Sequence, residues 1–365
     1  MVAEVVRPST PWRTPRHTRG TRAIETDDAY ARRTAPDRPG GILRRMSEPV
    51  ASPPAEPRAW RLLRWFALAA IITNVVIVVT GGVVRVTGSG LGCIDWPTCD
   101  GTNIAPVAGG DHAGWQAAVE FGNRLLTFPV LASTVLVWWQ VRKTRPHTTT
   151  VERLAWVLPL GVLAQALLGG ITVLTGLYPL TVAGHFLLSM VLIAAAVILH
   201  ERVRPQTATP PPSTGVQHAT TAILVVAAAV LVLGTLVTGS GPHGGDVGAP
   251  RLGLDIRVMA IAHADAVWLL IGLTVASVAV TWRSGPPGLR RAIRLLLIVQ
   301  LAQGAVGYLQ YWLGIPPELV SLHIFGAALV WLMTVLTWVR ARPRPVLPND
   351  PAPTSTADRS AVPSG

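Results

Sequence analysis

The sequence predicts an all-α integral membrane protein, with eight transmembrane helices arranged as two parallel-repeat four-helix bundles. Three observations predict it. Half of the 365 residues are apolar, only 14% are charged and the mean hydropathy is +0.43, a balance that water-soluble domains do not carry. Apolar stretches long enough to cross a bilayer, about 17–25 residues each, recur eight times. The second half of the chain also repeats the first.

The spans are read near Trp65–Val84, Trp115–Val141, Leu154–Gly176, Thr181–His200, Thr220–Gly239, Val258–Trp282, Ile293–Leu313 and Leu319–Val339. Residues 163–186 and 301–324 align at a common offset of 138, which pairs Gln165 with Gln303, Gly169 with Gly307, Gly176 with Gly314, Pro179 with Pro317 and His185 with His323. The pentapeptide Val-Thr-Gly-Ser-Gly occurs at Val86–Gly90 and again at Val237–Gly241. Four spans per copy is an even number, so both copies enter from one side. The expected relation is therefore a pseudo-twofold axis along the membrane normal. The domain reading is a disordered leader (1–57), an N-terminal half (58–205), a linker (206–217), a C-terminal half (218–342) and a disordered tail (343–365). The two end segments are rich in Pro, Ser, Thr and Arg and lack helical periodicity. Met46 offers a second start to the chain, and both starts stay open.

The net charge of +12 does not point to nucleic acid, because the cations sit at one set of span ends. Arg58, Arg61 and Arg64 precede the first span; Arg142, Lys143, Arg145 and Arg153 lie between spans two and three. Arg202 and Arg204 follow span four, Arg283, Arg290, Arg291 and Arg294 separate spans six and seven, and Arg340, Arg342 and Arg344 follow span eight. The opposite loops are poorer in cations and carry Asp95, Asp100, Asp111, Asp246, Asp255 and Glu318. By the positive-inside rule, both termini of this multi-pass chain are expected in the cytoplasm.

The only two cysteines, Cys93 and Cys99, fall in the long outer loop after span one. An oxidising face and no other thiol point to a disulfide between them. A structural staple and a labile redox pair both remain open. Zinc lacks a ligand set there, His112 being the one loop candidate.

Spans two, four, six and eight run inward from the outer face and present Asn123, His185, His263 and His323 at matched depth, about 9–12 Å below their starts at 1.5 Å per residue. Paired imidazoles in an apolar bundle without surrounding carboxylates suit six-coordinate haem iron, and His263 with His323 form such a pair. A single buried His more often bonds a carbonyl; two at repeat-related positions favour a ligand role. Glu120, Asn123 and Arg124 share one face of span two at i, i+3 and i+4. Ionisable groups this deep are costly and mark function. The matching positions of span six are Ala260 and Ala264. Of the remaining histidines, His147, His200 and His218 flank cytoplasmic ends and His17 lies in the leader, while His112 and His243, in outer loops, are read as solvated rather than catalytic.

The sequence resembles the haem A synthase family. The resemblance rests on Arg85-Val-Thr-Gly-Ser-Gly-Leu-Gly-Cys-Ile-Asp-Trp-Pro-Thr-Cys-Asp-Gly101, on Val119-Glu-Phe-Gly-Asn-Arg-Leu-Leu126, and on His185, His263 and His323, and it covers about residues 60–340. It implies an oxidoreductase of the plasma membrane that converts a methyl group of haem o to the formyl group of haem a for terminal cytochrome oxidases. It implies a resident haem b on His263 and His323, and substrate haem o in the N-terminal half on His185. Glu120 is then the catalytic carboxylate, with Asn123, Arg124 and Arg85 among the haem contacts. Haem o synthase and an electron donor are the implied partners, and a homo-oligomer stays open. One position departs from the pattern: the family carries His where this chain has Asn123, which cannot supply an imidazole. The implied protein ligand of the substrate iron is His185 alone.

Two other classes share part of these features. A di-haem electron-transfer cytochrome needs the histidines but not Glu120 or the cysteine loop. A transporter shares the repeat, yet the spans read as free of the mid-membrane Gly/Pro interruptions expected of one.

Overall fold

A computed structural model describes residues 57–107, 114–146, 148–205, 211–283 and 285–344. The readings of the leader, of nearly all the tail and of His112 fall outside these residues. Among them the protein is all helical: α1 (Arg58–Val86), α2 (Gly114–Leu125), α3 (Thr127–Thr144), α4 (Thr149–Leu174), α5 (Pro179–Val203), α6 (Thr214–Ser240), α7 (Ile256–Thr281), α8 (Pro287–Trp312) and α9 (Pro317–Arg340). Eight spans result, because α2 and α3 together make the second, over Gly114–Thr144.

Span two corrects the sequence reading of uninterrupted helices. It breaks at Leu126. Pro129 has no N–H to give the Leu125 carbonyl, and its ring crowds that same group. The helix therefore restarts as α3 at the level of the break. A second difference is the linker read at 206–217. Helix α6 begins inside it at Thr214, after Ser213 and the pair Pro211-Pro212, which cannot extend a helix backwards.

Two turns at positions aligned by the sequence repeat share a backbone geometry. Gly176 and Leu177 have φ of 60° and 61°, and Gly314 and Ile315 have 76° and 62°. Each pair closes the end of its helix with a matching bond, from Leu177 N–H to the Thr172 carbonyl (2.9 Å) and from Ile315 N–H to the Gln310 carbonyl (2.7 Å). Glycine serves these turns because it adopts left-handed φ without a Cβ clash. Pro179 and Pro317 then occupy the first turns of α5 and α9, where the missing N–H costs nothing. Asp255 caps α7 by accepting from the backbone N–H of Arg257 (2.8 Å) and Val258 (3.1 Å).

In the first half α1 packs on α3 and α5, α3 on α4, and α4 on α5; in the second, α6 packs on α7 and α9, α7 on α8, and α8 on α9. Each half is thus a closed ring of four spans. The halves meet where α9 contacts α1 and α5, and where α5 contacts α6. Trp331 Nε1 donates to the Met190 carbonyl across that seam (2.7 Å). At the arginine-rich end the seam carries a buried carboxylate, Glu201, paired with Arg340 (2.9 Å) and Arg204 (2.7 Å). Such a cluster is tolerated because every charge in it is answered.

The packing is uneven along the spans. The main apolar core, including Leu63, Ala67, Val137, Leu158, Ile193, Leu199 and Val335, lies towards the arginine-rich end. Arg142 sits over the Trp138 and Trp156 rings at 5.2 and 5.7 Å, and Arg342 over Trp338 at 5.1 Å, the aromatic and cationic belt of a membrane interface. Apolar side chains such as Ile72, Val225, Val280 and Ile298 point outward, which in a bilayer is the solvated state for them. Towards the opposite end the rings open into a cavity.

Candidate functional site

The cavity has a volume of about 1510 Å³ and draws its walls from both halves. Small-molecule pockets usually hold about 300–1,000 Å³, so this one exceeds the needs of a single modest ligand. Asn123, His185, His263 and His323 all line it, as do Glu120, Arg124 and Arg85. Every sequence-predicted site residue except the two cysteines therefore faces one space.

Each of the four equivalent positions meets a glycine on the neighbouring helix. A Cβ at Gly169 would lie 3.2 Å from His185 Cε1, one at Gly234 3.2 Å from His263 Cε1, and one at Gly307 3.2 Å from His323 Cε1. At the fourth position a Cβ at Gly81 would lie 3.9 Å from Asn123 Nδ2. The glycines let an imidazole lie against helix backbone while its other edge faces the cavity. Gln165 and Gln303 complete the device, donating to the backbone carbonyls of His185 (3.0 Å) and His323 (2.8 Å). The repeated Gln and Gly were legible as a pattern, but only the fold shows what they hold.

The His263 and His323 ring centroids are 6.4 Å apart, with planes at 63°. Metal–nitrogen bonds of about 2 Å on either side of one ion fit a gap of that size. His263 Nδ1 lies 3.1 Å from the Val230 carbonyl. In the tautomer that donates there, Nε2 keeps its lone pair for a metal, the usual arrangement of ligating histidines. Nδ1 of His323 and of His185 is buried without a hydrogen-bond partner, a cost that structural histidines avoid. Among the described residues no three His, Cys, Asp or Glu side chains converge. One or two imidazoles is the donor count of a metal that brings its own equatorial ligands. The residues present thus fit a haem that His263 and His323 would hold, and an iron that His185 alone would hold. Asn123 accepts through Oδ1 from the Thr80 hydroxyl (2.7 Å).

One expectation fails here. The second half is not free of carboxylates, because Asp265 on α7 also lines the cavity. It lies two residues past His263, roughly 200° further round the helix, and is exposed. It leaves α7 on the side away from the imidazole.

Glu120 is 5% exposed and fully engaged. Its Oε1 accepts from Arg124 Nη2 (2.6 Å) and Nε (3.1 Å), and its Oε2 accepts from the Cys93 backbone N–H (2.7 Å). Arg124 extends further, donating to the carbonyls of Thr98 (3.0 Å), Asp95 (3.0 Å) and Cys93 (3.3 Å). The i, i+4 pair therefore grips the loop that Cys93 and Cys99 close as a disulfide. Sequence reasoning found the pair and the disulfide but not their connection. Within the same loop Asp100 accepts from the Asn103 side chain (2.9 Å) and from the backbone N–H of Asn103 (2.6 Å) and Thr102 (3.0 Å). These bonds, the Asn103 side chain foremost, hold its carboxyl well below the usual carboxylate range.

Arg85 reaches across to the second half. Its Nε donates to the His243 carbonyl (2.5 Å) and Nη2 to the Thr238 carbonyl (2.9 Å). The His243 ring, read as solvated from the sequence, is half-buried, and its Nε2 lies 2.9 Å from the Ile315 carbonyl. Sequence distance of some 70–160 residues hid these contacts.

Residues 64–242 match the model of a family described as cytochrome oxidase assembly protein. The chain is 36% identical over 141 residues to a protein named heme A synthase from Lysinibacillus sphaericus (strain C3-41), covering 38% of this chain and 44% of that one. It is 28% identical over 144 residues to another of that name from Geobacillus kaustophilus (strain HTA426), covering 38% and 43%. The matches thus span less than half the length of these relatives. The matched residues include the disulfide loop, Glu120, Asn123, Arg124 and His185. Over residues 64–242 the chain is thus similar to cytochrome oxidase assembly proteins, and over part of its length to proteins named heme A synthase.

Proposed function

We propose that the protein is a haem A synthase, an oxidoreductase that converts a methyl group of haem o to the formyl group of haem a. The observation that carries this reading is the unequal presentation of ligands at one depth. The second half offers two facing imidazoles, and the first offers one imidazole, an amide and a carboxylate. A haem on His263 and His323 would supply reversible one-electron transfer. His185 would bind and orient the substrate iron, and Asn123, tied to Thr80, would offer it no imidazole. Glu120 holds or moves a proton at Oε1 or Oε2 next to the reacting methyl, with Arg124 fixing its position. Haem b is the expected resident group, haem o the substrate, and haem o synthase and an electron donor the expected partners. The arginine-rich ends support a reading in which both termini lie in the cytoplasm and the cavity lies near the outer face of the plasma membrane.

The test is conversion of haem o by the full-length protein, in membranes that lack another source of haem a, with extracted haems separated by chromatography. Haem a is expected with the wild type and absent with His185→Ala. Membranes holding the protein and haem o but forming neither haem a nor its alcohol precursor would overturn the reading.

A further inference from the structure

The two halves differ at one further position. The repeat offset of 138 pairs Gly170 on α4 with Tyr308 on α8. In the second half the side chain at this point belongs to the helix itself: Tyr308, 43% exposed, lines the cavity, and its hydroxyl accepts from Trp268 Nε1 on α7 (3.1 Å). In the first half the helix offers no side chain, and the indole of Trp96 occupies the place instead. A Cβ at Gly170 would stand 2.5 Å from Trp96 Cδ2 and 2.8 Å from its Cγ and Cε3. Trp96 belongs to the Cys93–Cys99 loop, and it lines the cavity with its neighbour Pro97. The residue before Gly170 is Gly169, the one against His185. The indole and the imidazole therefore lie at consecutive positions of α4.

The loop holds this indole by side-chain and close-approach contacts. Glu120 and Arg124 bind its backbone through four hydrogen bonds, to Cys93 N–H and to the Cys93, Asp95 and Thr98 carbonyls. Gly92 approaches α2 so closely that a Cβ there would meet the Gln116 carbonyl at 2.6 Å. A wall carried by a loop can leave without unwinding a span, whereas a wall made by Tyr308 cannot.

We propose that Trp96, seated in the notch at Gly170, is the positioning residue that retains the planar iron tetrapyrrole of the first half, and that this ligand enters and leaves as the Cys93–Cys99 loop lifts from α4. The proposal rests on the reading of the first half as the substrate site. It gives a physical reason why one half exchanges its haem and the other keeps it. An indole offers a large flat apolar face at small conformational cost, the surface suited to the edge or face of a tetrapyrrole.

The experiment is haem release from the purified full-length protein in detergent, loaded with iron protoporphyrin IX and chased with excess apomyoglobin, followed by absorbance. Wild type is expected to release one haem and retain the other. Trp96→Ala should speed release of the exchangeable haem about tenfold, equivalent to the loss of one good aromatic contact, while the retained haem keeps its low-spin spectrum. Gly170→Ala, which wedges the indole out, should move release in the same direction, and Trp96→Phe should stay within about threefold of wild type. Release from Trp96→Ala within twofold of wild type, or equal loss of both haems, would overturn the proposal, as would a wild type with no exchangeable haem. Haem o conversion measured on the same preparations separates the two claims. Faster release in Trp96→Ala alongside a wild type that converts nothing keeps the wall and removes the synthase reading.

Discussion

The first half of the protein and the second share a ring of four spans, a Gly-x turn before the last span and a glycine against each inward residue at one depth. They differ in what stands on that frame. The second half presents His263 and His323 with alanines around them at 260 and 264, and the ring is walled by helix side chains. The first half has exchanged one imidazole for Asn123, added Glu120 and Arg124 on the same helix face, and given part of its wall to a disulfide-closed loop. The two copies thus keep the same inward positions, while the Glu120–Arg124 pair and the wall carried by a loop are found in the first.

The sharpest way to break this contrast is to remove an imidazole from the second half. His263→Ala or His323→Ala should abolish the low-spin haem signal completely, since each deletes one of two axial ligands; an unchanged bis-imidazole absorption spectrum in both variants would dissolve the distinction between the halves. Glu120→Gln should lower haem a formation by about 10²-fold or more, the usual contribution of a positioned acid or base, and leave the second-half spectrum intact. Because Glu120 also grips the loop, the double variant Glu120→Gln with Arg124→Gln is needed. If pairing with Arg124 were the whole role, the double variant would recover most of the activity that either single one loses.

Smaller effects sharpen the comparison within the first half. His185→Ala should cost more activity than Asn123→Ala, and Asn123→His should move the first-half haem towards a low-spin six-coordinate form, because Gly81 leaves the same space that the other three glycines leave. Equal damage from His185→Ala and Asn123→Ala in folded protein, read by optical spectra and haem a yield, would mean that Asn123 contacts the substrate directly. Replacing both Cys93 and Cys99 with Ser should lower stability by about 2 kcal/mol for so short a closed loop, and should lower haem a yield by more than that loss of folded protein explains. A yield that simply tracks the thermal melt would make the disulfide a staple. The smallest effect concerns Asp100. Its folded pKa lies below the unfolded value of about 3.9, so the turn it stabilises is complete at neutral pH and is lost only as the pH falls through the lowered value. Hydrogen exchange at the Asn103 amide should stay slow at pH 5 and become fast in Asp100→Ala.

Much of this fold was legible because spans, repeat and charge asymmetry are written in local composition. The starts of α5, α7 and α9 followed from Pro179, Asp255 and Pro317, and the depth of the inward residues followed from those starts. The break at Leu126 was also written, in Pro129, but a continuous apolar stretch concealed it. What sequence could not supply was long-range contact. Nothing local tells that Arg124 caps carbonyls 26–31 residues away, that Trp96 rests on Gly170, or that Arg85 serves the loop of the other half. The glycines opposite the histidines were visible only as a pattern, since an absent side chain has no meaning until its neighbour is known.

The central claim is that the two halves hold different haems in different ways. It is tested most directly by extracting and chromatographically identifying the haems of the purified full-length protein and of its Glu120→Gln and His323→Ala variants, each with its reduced absorption spectrum. The account predicts haem b together with haem o or haem a in the wild type, haem b with accumulated haem o in Glu120→Gln, and loss of haem b in His323→Ala. Protein that carries no haem, or variants that lose or keep both haem types in step, would contradict it.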